Sequence, residues 1–105
     1  MNDIATLNDN FRRSFEGGEV LLSAGIAAMS SEDKANIVSM VQNFNDFTED
    51  NDPYKEHDFG SFDYKCEKIL WKIDYYDLNH KYMSKDPSNP DITNRVLTIM
   101  TVYEY

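Results

Sequence analysis

His57 stands between two carboxylate residues, Glu56 and Asp58, in a segment rich in turn-forming residues. An imidazole beside a carboxylate can act as an acid–base pair, and the three side chains together offer oxygen and nitrogen ligands to a divalent metal ion. Asp74, on a later strand, would complete such a set. The residue types therefore permit a small metal-dependent or acid–base enzyme.

The spacing of these residues matches no named metal-binding motif. Residues 50–52 (Asp-Asn-Asp) begin like a calcium loop, but the glycine that such a loop requires and the acid at its end are both absent. The alternative is that His57 hydrogen-bonds a neighbouring carboxylate and fixes the turn. We predict no metal, no cofactor and no catalytic residue, and the enzyme remains an alternative.

Acidic residues are concentrated between residues 46 and 63, which we call the acidic segment. It holds seven acids against one base, whereas residues 64–105 hold six of each. Aromatic residues are threaded through it, and a merely solvating tract usually lacks them. We weigh a solubility-promoting loop against an acidic recognition surface and favour the surface. Its predicted partner-binding residues are Asp46, Glu49, Asp50, Asp52, Tyr54, Glu56, Asp58 and Asp63; the aromatic residues are Phe47, Tyr54, Phe59 and Phe62.

Carboxylates held on a folded edge can imitate the phosphates of a nucleic acid. A strand rises about 3.3 Å per residue, and phosphates repeat at about 3.4 Å per nucleotide along one strand of DNA. An acidic surface with such spacing can occupy a DNA or RNA groove on another protein. The acidic segment therefore predicts a basic, nucleic-acid-binding protein as the partner.

The chain as a whole has 105 residues and a net charge of −9. Nucleic acid and anionic lipid repel such a chain, so direct binding to either is not expected. The length is that of a single domain, residues 1–105. No apolar run approaches the roughly 20 residues that span a bilayer, and Asp3 and Asp9 stand where a signal peptide would be positive. These features predict a cytoplasmic protein with no membrane partner.

Two helices are expected to help position these residues. The first is capped by Asn2 or Asp3 and the second by Ser30 or Ser31, and each carries an apolar stripe at helical spacing. The stripe residues are Ile4, Leu7, Phe11 and Phe15 in the first helix, and Ile37, Met40, Val41, Phe44 and Phe47 in the second.

Four strands are expected, at residues 19–24, 59–64, 68–76 and 95–103. The clearest is 68–76, where apolar and polar residues alternate and Trp71 is predicted to lie in the core. Residues 77–94 are polar and read as a functional or mobile loop. The element order α-β-α-β-β-β predicts an α+β fold, with two helices packed on one face of a mostly antiparallel four-stranded sheet.

Five stretches resemble a family of short bacterial proteins that is catalogued only as a domain of unknown function and is often found on plasmids and prophages. They are residues 7–13 (LNDNFRR), 51–60 (NDPYKEHDFG), 71–77 (WKIDYYD), 95–100 (RVLTIM) and 104–105 (EY). The resemblance implies no activity. It implies a mobile-element context, in which small acidic proteins are often inhibitors of host defence, similar by type to anti-CRISPR or anti-restriction proteins.

The predicted function is therefore an acidic inhibitory binding protein, not an enzyme. It would block a nucleic-acid-binding surface of a host defence effector by DNA mimicry, and a CRISPR effector is the suspected partner. Two alternatives stay open. One is the small enzyme that would use Glu56, His57, Asp58 and Asp74, and the other is an antitoxin-like interaction protein.

Overall fold

A computed structural model describes residues 3–105 and shows one mixed β-sheet. Its strands are β1 (Gly18–Leu22), β2 (Phe59–Tyr64), β3 (Glu67–Tyr76) and β4 (Asn94–Thr101), in the spatial order β1-β4-β3-β2. The β2–β3 and β3–β4 pairs are antiparallel, and the β1–β4 pair is parallel. The predicted α+β class with a mostly antiparallel four-stranded sheet is confirmed.

Three α-helices accompany the sheet: α1 (Asp3–Ser14), α2 (Ala24–Ala27) and α3 (Ser31–Gln42). A 3-10 helix, Val102–Glu104, follows β4. As predicted, Ser30 caps α3, and its side chain accepts a hydrogen bond from the Asp33 N–H. The alternative cap at Asn2 lies outside the described residues, and Asp3 is already helical. Within residues 3–105, no helix is long and apolar enough to cross a membrane.

The short helix α2 was not expected. The first strand ends at Leu22, and Ser23 then caps α2 by accepting a hydrogen bond from the Ile26 N–H, so Ala24 is helical. The last strand likewise ends at Thr101, earlier than the sequence pattern indicates, because the chain turns into the 3-10 helix there. Local side-chain hydrogen bonds determine where both strands end, and the hydrophobic periodicity of the sequence does not reveal these bonds.

The core lies between one sheet face and the helices. Ile69, Trp71, Ile73 and Tyr75 alternate along β3 and are all buried, as the period-2 pattern predicts. They pack with Leu97 and Ile99 of β4, Phe11 of α1, and Ile37 and Val41 of α3. Burial of a large apolar side chain of this kind stabilises the fold by about 1.5–3 kcal/mol. This single cluster is what holds α1 and α3 on the sheet.

The β2–β3 hairpin turns at Lys65 and Cys66, whose φ values are 46° and 68°. Two consecutive left-handed residues form the turn that matches the twist of a tight hairpin. At the other end of β2, Gly60 lies so close to the core that an added Cβ would come within 2.5 Å of the Trp71 indole nitrogen. Gly60 thus lets β2 approach β3 and the Phe44 ring.

The buried face of α1 differs from the predicted stripe. It consists of Ala5, Asn8, Asp9, Phe11 and Arg12, whereas Ile4, Leu7 and Phe15 are only half-buried. In the second helix, Met40 is 38% exposed, and Phe44 and Phe47 pack on the core from beyond the end of α3. The stripe prediction for α1 is confirmed in part, because Phe11 lies in the core and Ile4 and Phe15 pack against it, while the helix also buries charged and amide side chains.

Glu104 ties the end of the chain to α2. Its carboxylate accepts hydrogen bonds from the Ser23 hydroxyl at 2.6 Å, the Gly25 N–H at 2.8 Å, and the N–H and hydroxyl of Thr101 at 3.0 and 2.9 Å. These bonds favour the ionised form and lower the pKa of Glu104 from 4.5 to about 2.

This lowered pKa predicts an acid-dependent loss of stability. The contribution of Glu104 is fully present above pH 4.5 and is lost as the pH falls towards 2. The melting temperatures of the wild type and Glu104→Gln should therefore differ most near neutral pH and converge as the pH approaches 2. Glu67→Gln, at an exposed acid, is the control. A difference in melting temperature between the two proteins that stays constant from pH 7 to 2.5 would contradict this role for Glu104.

Candidate functional site

Most of the acidic segment is irregular chain that runs from α3 to β2. Asp52 is 5% exposed, and its carboxylate accepts hydrogen bonds from the backbone N–H groups of Glu56 at 3.0 Å and His57 at 3.1 Å. The Asn8 side chain of α1 donates to the Glu56 carbonyl at 2.9 Å. The segment is therefore anchored to the domain through its own backbone.

His57 lies between two carboxylates that sequence proximity does not indicate. Its Nδ1 is 3.0 Å from both carboxylate oxygens of Asp9, and its Nε2 is 3.6 Å from an Asp52 oxygen. The ring stacks on Phe47 with 3.9 Å between centroids. The φ of His57 is 56°, a strained value for a residue other than glycine. The surrounding contacts thus hold the turn in place through the imidazole, and its carboxylate partners are Asp9 and Asp52.

Arg12 continues this network into the core. Its guanidinium is fully buried, bonds Asp9 at 2.9 Å, and donates to the backbone carbonyls of Val41 at 3.1 Å and Phe44 at 2.8 Å. The Val41 carbonyl lies in the last turn of α3 and the Phe44 carbonyl lies two residues beyond its end, close to the partial negative charge of the helix C-terminus. Burial lowers the pKa of Arg12, and the hydrogen bond to Asp9 partly offsets the shift. Arg12 thereby joins α1, α3 and the acidic segment.

A second group of hydrogen-bonded polar side chains involves Asn8, Tyr75 and Arg95. Asn8 donates to the Tyr75 hydroxyl at 2.8 Å and accepts from Nε of Arg95 at 2.8 Å. Arg95 also donates to the Pro87 carbonyl, which holds the loop after β3 against the domain. Burial raises the pKa of Tyr75 and lowers that of Arg95. We refer to Asn8, Asp9, Arg12, His57 and Asp52 as the anchor cluster.

Sequence reasoning missed most of the anchor cluster. One signal was present: Ala5, Asn8, Asp9 and Arg12 recur at helical spacing and form a face of their own. Asp9 and Arg12 also stand three residues apart, the spacing of a helical ion pair. Polar residues are ordinarily placed on the solvent side, and the true partners lie far along the chain.

The predicted partner-binding residues fall into three groups by burial. Asp52 is 5% exposed and belongs to the anchor cluster, so its carboxylate bonds the backbone of the segment and does not face solvent. Glu56 and Asp58 are half-buried. Burial, followed by the charges of Glu56, Asp52 and Asp74, raises the pKa of Asp58. Across residues 3–105, no ion pair involves the exposed residues of the set, which are Asp46, Glu49, Asp50, Tyr54 and Asp63.

The structure also limits two of the arguments made from sequence. Only Asp63 of the acidic residues lies on a strand, so the strand spacing that resembles phosphate spacing does not describe the others. Of the aromatic residues, Tyr54 is 80% exposed, whereas Phe47, Phe59 and Phe62 are half-buried. The accessible surface is therefore an anchored acidic turn with one projecting tyrosine.

The alternative enzyme set is not assembled as a metal site. In the described part of the chain, no three His, Cys, Asp or Glu side chains form a group suited to a metal ion. Asp74 instead pairs with Lys72 at 3.1 Å, on the sheet face that turns away from the helices. His57 uses Asp9 and Asp52, as described above.

Comparison with known proteins gives one match. A family model described as a protein of unknown function (DUF3768) matches residues 22–104. Neither the curated proteins nor the solved structures include a chain that matches this one. The matched residues contain four of the five stretches noted in the sequence in whole or in part, and residues 7–13 lie before them.

Proposed function

The chain belongs to this DUF3768 family of proteins of unknown function, and we propose that it acts as an acidic inhibitory binding protein. Its exposed carboxylates would occupy the nucleic-acid-binding surface of a basic host protein. A defence effector such as a CRISPR complex is the suspected target. The supporting observation is an acidic segment whose inner groups are fixed to the core, while its exposed carboxylates pair with no cation among residues 3–105.

Anchoring matters because binding normally costs the entropy of ordering the groups that make contact. Asp52 and His57 order the backbone of the acidic segment before any partner arrives. Asp46, Glu49 and Asp50 then project from a fixed chain without charge compensation. A rigid, uncompensated set of carboxylates attracts a basic surface over a long range and raises the rate of association.

Tyr54 is the natural anchor of such a contact. It is 80% exposed and lies beside the acidic residues. Tyrosine is over-represented among the residues that carry most of the energy at protein interfaces, because it buries a large rigid ring and keeps a polar end. A contact built on Tyr54 and the surrounding carboxylates would match a basic groove with an apolar floor.

The proposal is tested by capture from a bacterial lysate, followed by measurement of affinity for each protein identified. Binding should weaken steeply as salt rises, because exposed charges are screened over about 8 Å at physiological ionic strength. Nucleic acid should compete with this protein for the captured partner. Binding that is insensitive to salt and unaffected by competing nucleic acid would leave the acidic segment as a solubility device.

Charge reversal gives a matched comparison on the same captured partner. Asp50→Lys is expected to weaken binding by about 1–2 kcal/mol, since it adds repulsion and removes attraction. Glu32→Lys, at an exposed acid in the first turn of α3, makes the same change in net charge away from the acidic segment. It should lower affinity by much less. Equal losses of affinity in the two variants would show that binding depends on the net charge of the protein and not on the acidic segment.

A second candidate function is a small acid–base or metal-dependent enzyme. One observation favours it: the pKa of Asp58 is raised by burial and by the neighbouring carboxylates, and perturbed carboxyl groups cluster at catalytic sites. Calorimetric titration with calcium, magnesium, manganese and zinc tests the metal-dependent form. Tight stoichiometric binding that is lost in His57→Ala would support this second function over the first.

A further inference from the structure

The sheet face that turns away from α1 and α3 is concave and holds a groove of about 630 Å³. Leu21 of β1 and Val96, Thr98 and Met100 of β4 line it in the centre of the sheet. These residues alternate with the core residues of the same strands, so they belong to the opposite face. The groove is thus a site distinct from the anchor cluster and the acidic segment.

The dimensions and lining of the groove suit a small molecule. Ligand sites are typically clefts of about 300–1,000 Å³ with mainly apolar walls and a few polar groups. Here Val96 and Met100, which are 6% and 4% exposed, form the bottom of the groove, and its accessible apolar surface comes mainly from Leu21, Tyr76 and Tyr105. An apolar or aromatic group of a ligand would find matching surface there.

The charges that line the groove have an excess of carboxylate. Glu19, Asp74 and Glu104 are set against Lys72 and His80. The Lys72 ammonium already pairs with Asp74 at 3.1 Å, and Glu104 accepts the hydrogen bonds described above. Among residues 3–105, Glu19 has no ion-pair partner. A cleft with an excess of one sign of charge attracts ligands of the opposite sign, and the tyrosine rings also attract cations. Anions are therefore disfavoured and cations are favoured.

We propose that this groove binds a small organic cation, with an apolar or aromatic body on the Val96–Met100 floor and an ammonium group near Glu19 and Asp74. The inference stands apart from the proposed function, because none of its residues lies in the acidic segment. Both can hold, and each can fail alone.

The test uses two probes that share a phenylethyl group and carry opposite charges, phenethylamine and 3-phenylpropionate, titrated into the isotopically labelled protein. Phenethylamine should cause saturable shifts of the backbone amide signals of Leu21, Asp74 and Thr98. The anionic probe should cause none of them. Comparable shifts with both probes, or no saturable shift with phenethylamine, would overturn the proposal.

Two kinds of variant distinguish binding in the groove from non-specific attraction of the cationic probe to an acidic protein. Glu19→Gln with Asp74→Asn should weaken phenethylamine binding about 5- to 10-fold, whereas Asp46→Asn with Glu49→Gln removes the same charge elsewhere and should change it less than twofold. Thr98→Phe leaves the net charge unchanged and fills the groove, so it should remove the saturable shifts. A retained amide spectrum shows that each variant is folded. Equal losses in the two double variants would overturn the proposal, and so would undiminished binding to folded Thr98→Phe.

Discussion

Replacing Arg12 with alanine is expected to cost about 3–5 kcal/mol of unfolding free energy, the cost of breaking a buried ion pair by removing one partner. The substitution leaves the Asp9 carboxylate without its guanidinium and the Phe44 carbonyl without its Arg12 donor, and it removes one of the hydrogen bonds that the Val41 carbonyl accepts. A domain of this size has about 5–15 kcal/mol in total. The variant should therefore melt far below the wild type or be partly unfolded at room temperature.

Arg13 provides the matched control. It is the neighbouring arginine of the same helix and is exposed, so Arg13→Ala should change stability by no more than about 0.5 kcal/mol. Chemical denaturation of the wild type and both variants measures the difference. If Arg12→Ala and Arg13→Ala unfold at the same denaturant concentration, the anchor cluster does not contribute to stability as its geometry indicates.

A double variant shows how much of the loss in unfolding free energy comes from leaving the Asp9 carboxylate unpaired. Asp9 bonds both Arg12 and His57, so removing Asp9 together with Arg12 leaves no unpaired buried charge at the pair itself. Arg12→Met combined with Asp9→Leu should recover part of the loss, because apolar residues of similar volume can replace a buried ion pair. Recovery should stay incomplete, since the His57 imidazole still lacks Asp9 and the Phe44 carbonyl still lacks its Arg12 donor.

Replacing Asp52 with alanine is expected to cost about 2–4 kcal/mol, because it leaves two part-buried backbone N–H groups without an acceptor. It should also release the turn at residues 52–57, which its carboxylate closes by bonding Glu56 and His57. Hydrogen exchange resolves the two effects. The amides of Glu56 and His57 should exchange much faster in the variant than those of the β3–β4 ladder.

Asp50→Ala is the control for this change. Asp50 is also an aspartate, lies two residues away and is exposed. Its removal should change the unfolding free energy by no more than about 0.5 kcal/mol and leave the exchange rates unaltered. The pair of variants also separates two roles of the acidic segment. Asp50→Ala should reduce partner affinity without altering the fold, whereas Asp52→Ala should reduce affinity by loosening the segment.

Some elements could be predicted from the sequence because their signals are local. The alternation along residues 68–76 predicts β3 and the burial of Trp71, which the structure confirms. The serine before α3 and the acids after it predict where that helix begins. The concentration of charge between residues 46 and 63 is likewise a property of composition alone.

The face that α1 buries could not be predicted in the same way. Its apolar residues Ile4, Leu7 and Phe15 are only half-buried, while Asn8, Asp9 and Arg12 lie inside. Polar groups become favourable inside a protein only when their hydrogen bonds are satisfied there. The groups that satisfy them belong to α3, β3, β4 and the acidic segment, so a local pattern cannot reveal them.

The sequence by itself therefore determined the class of fold, most of the element boundaries and the location of the negative charge. Only the tertiary structure decided which charges face outward. It brings His57 to Asp9 across 48 positions of the chain and buries Asp52 while Asp50 stays in solvent. It also places β1 parallel to β4 and so builds the floor of the groove. The physical reason is that hydrophobic periodicity depends on neighbours within one or two turns, whereas ion pairing, burial and strand order depend on residues that folding brings together from distant parts of the chain.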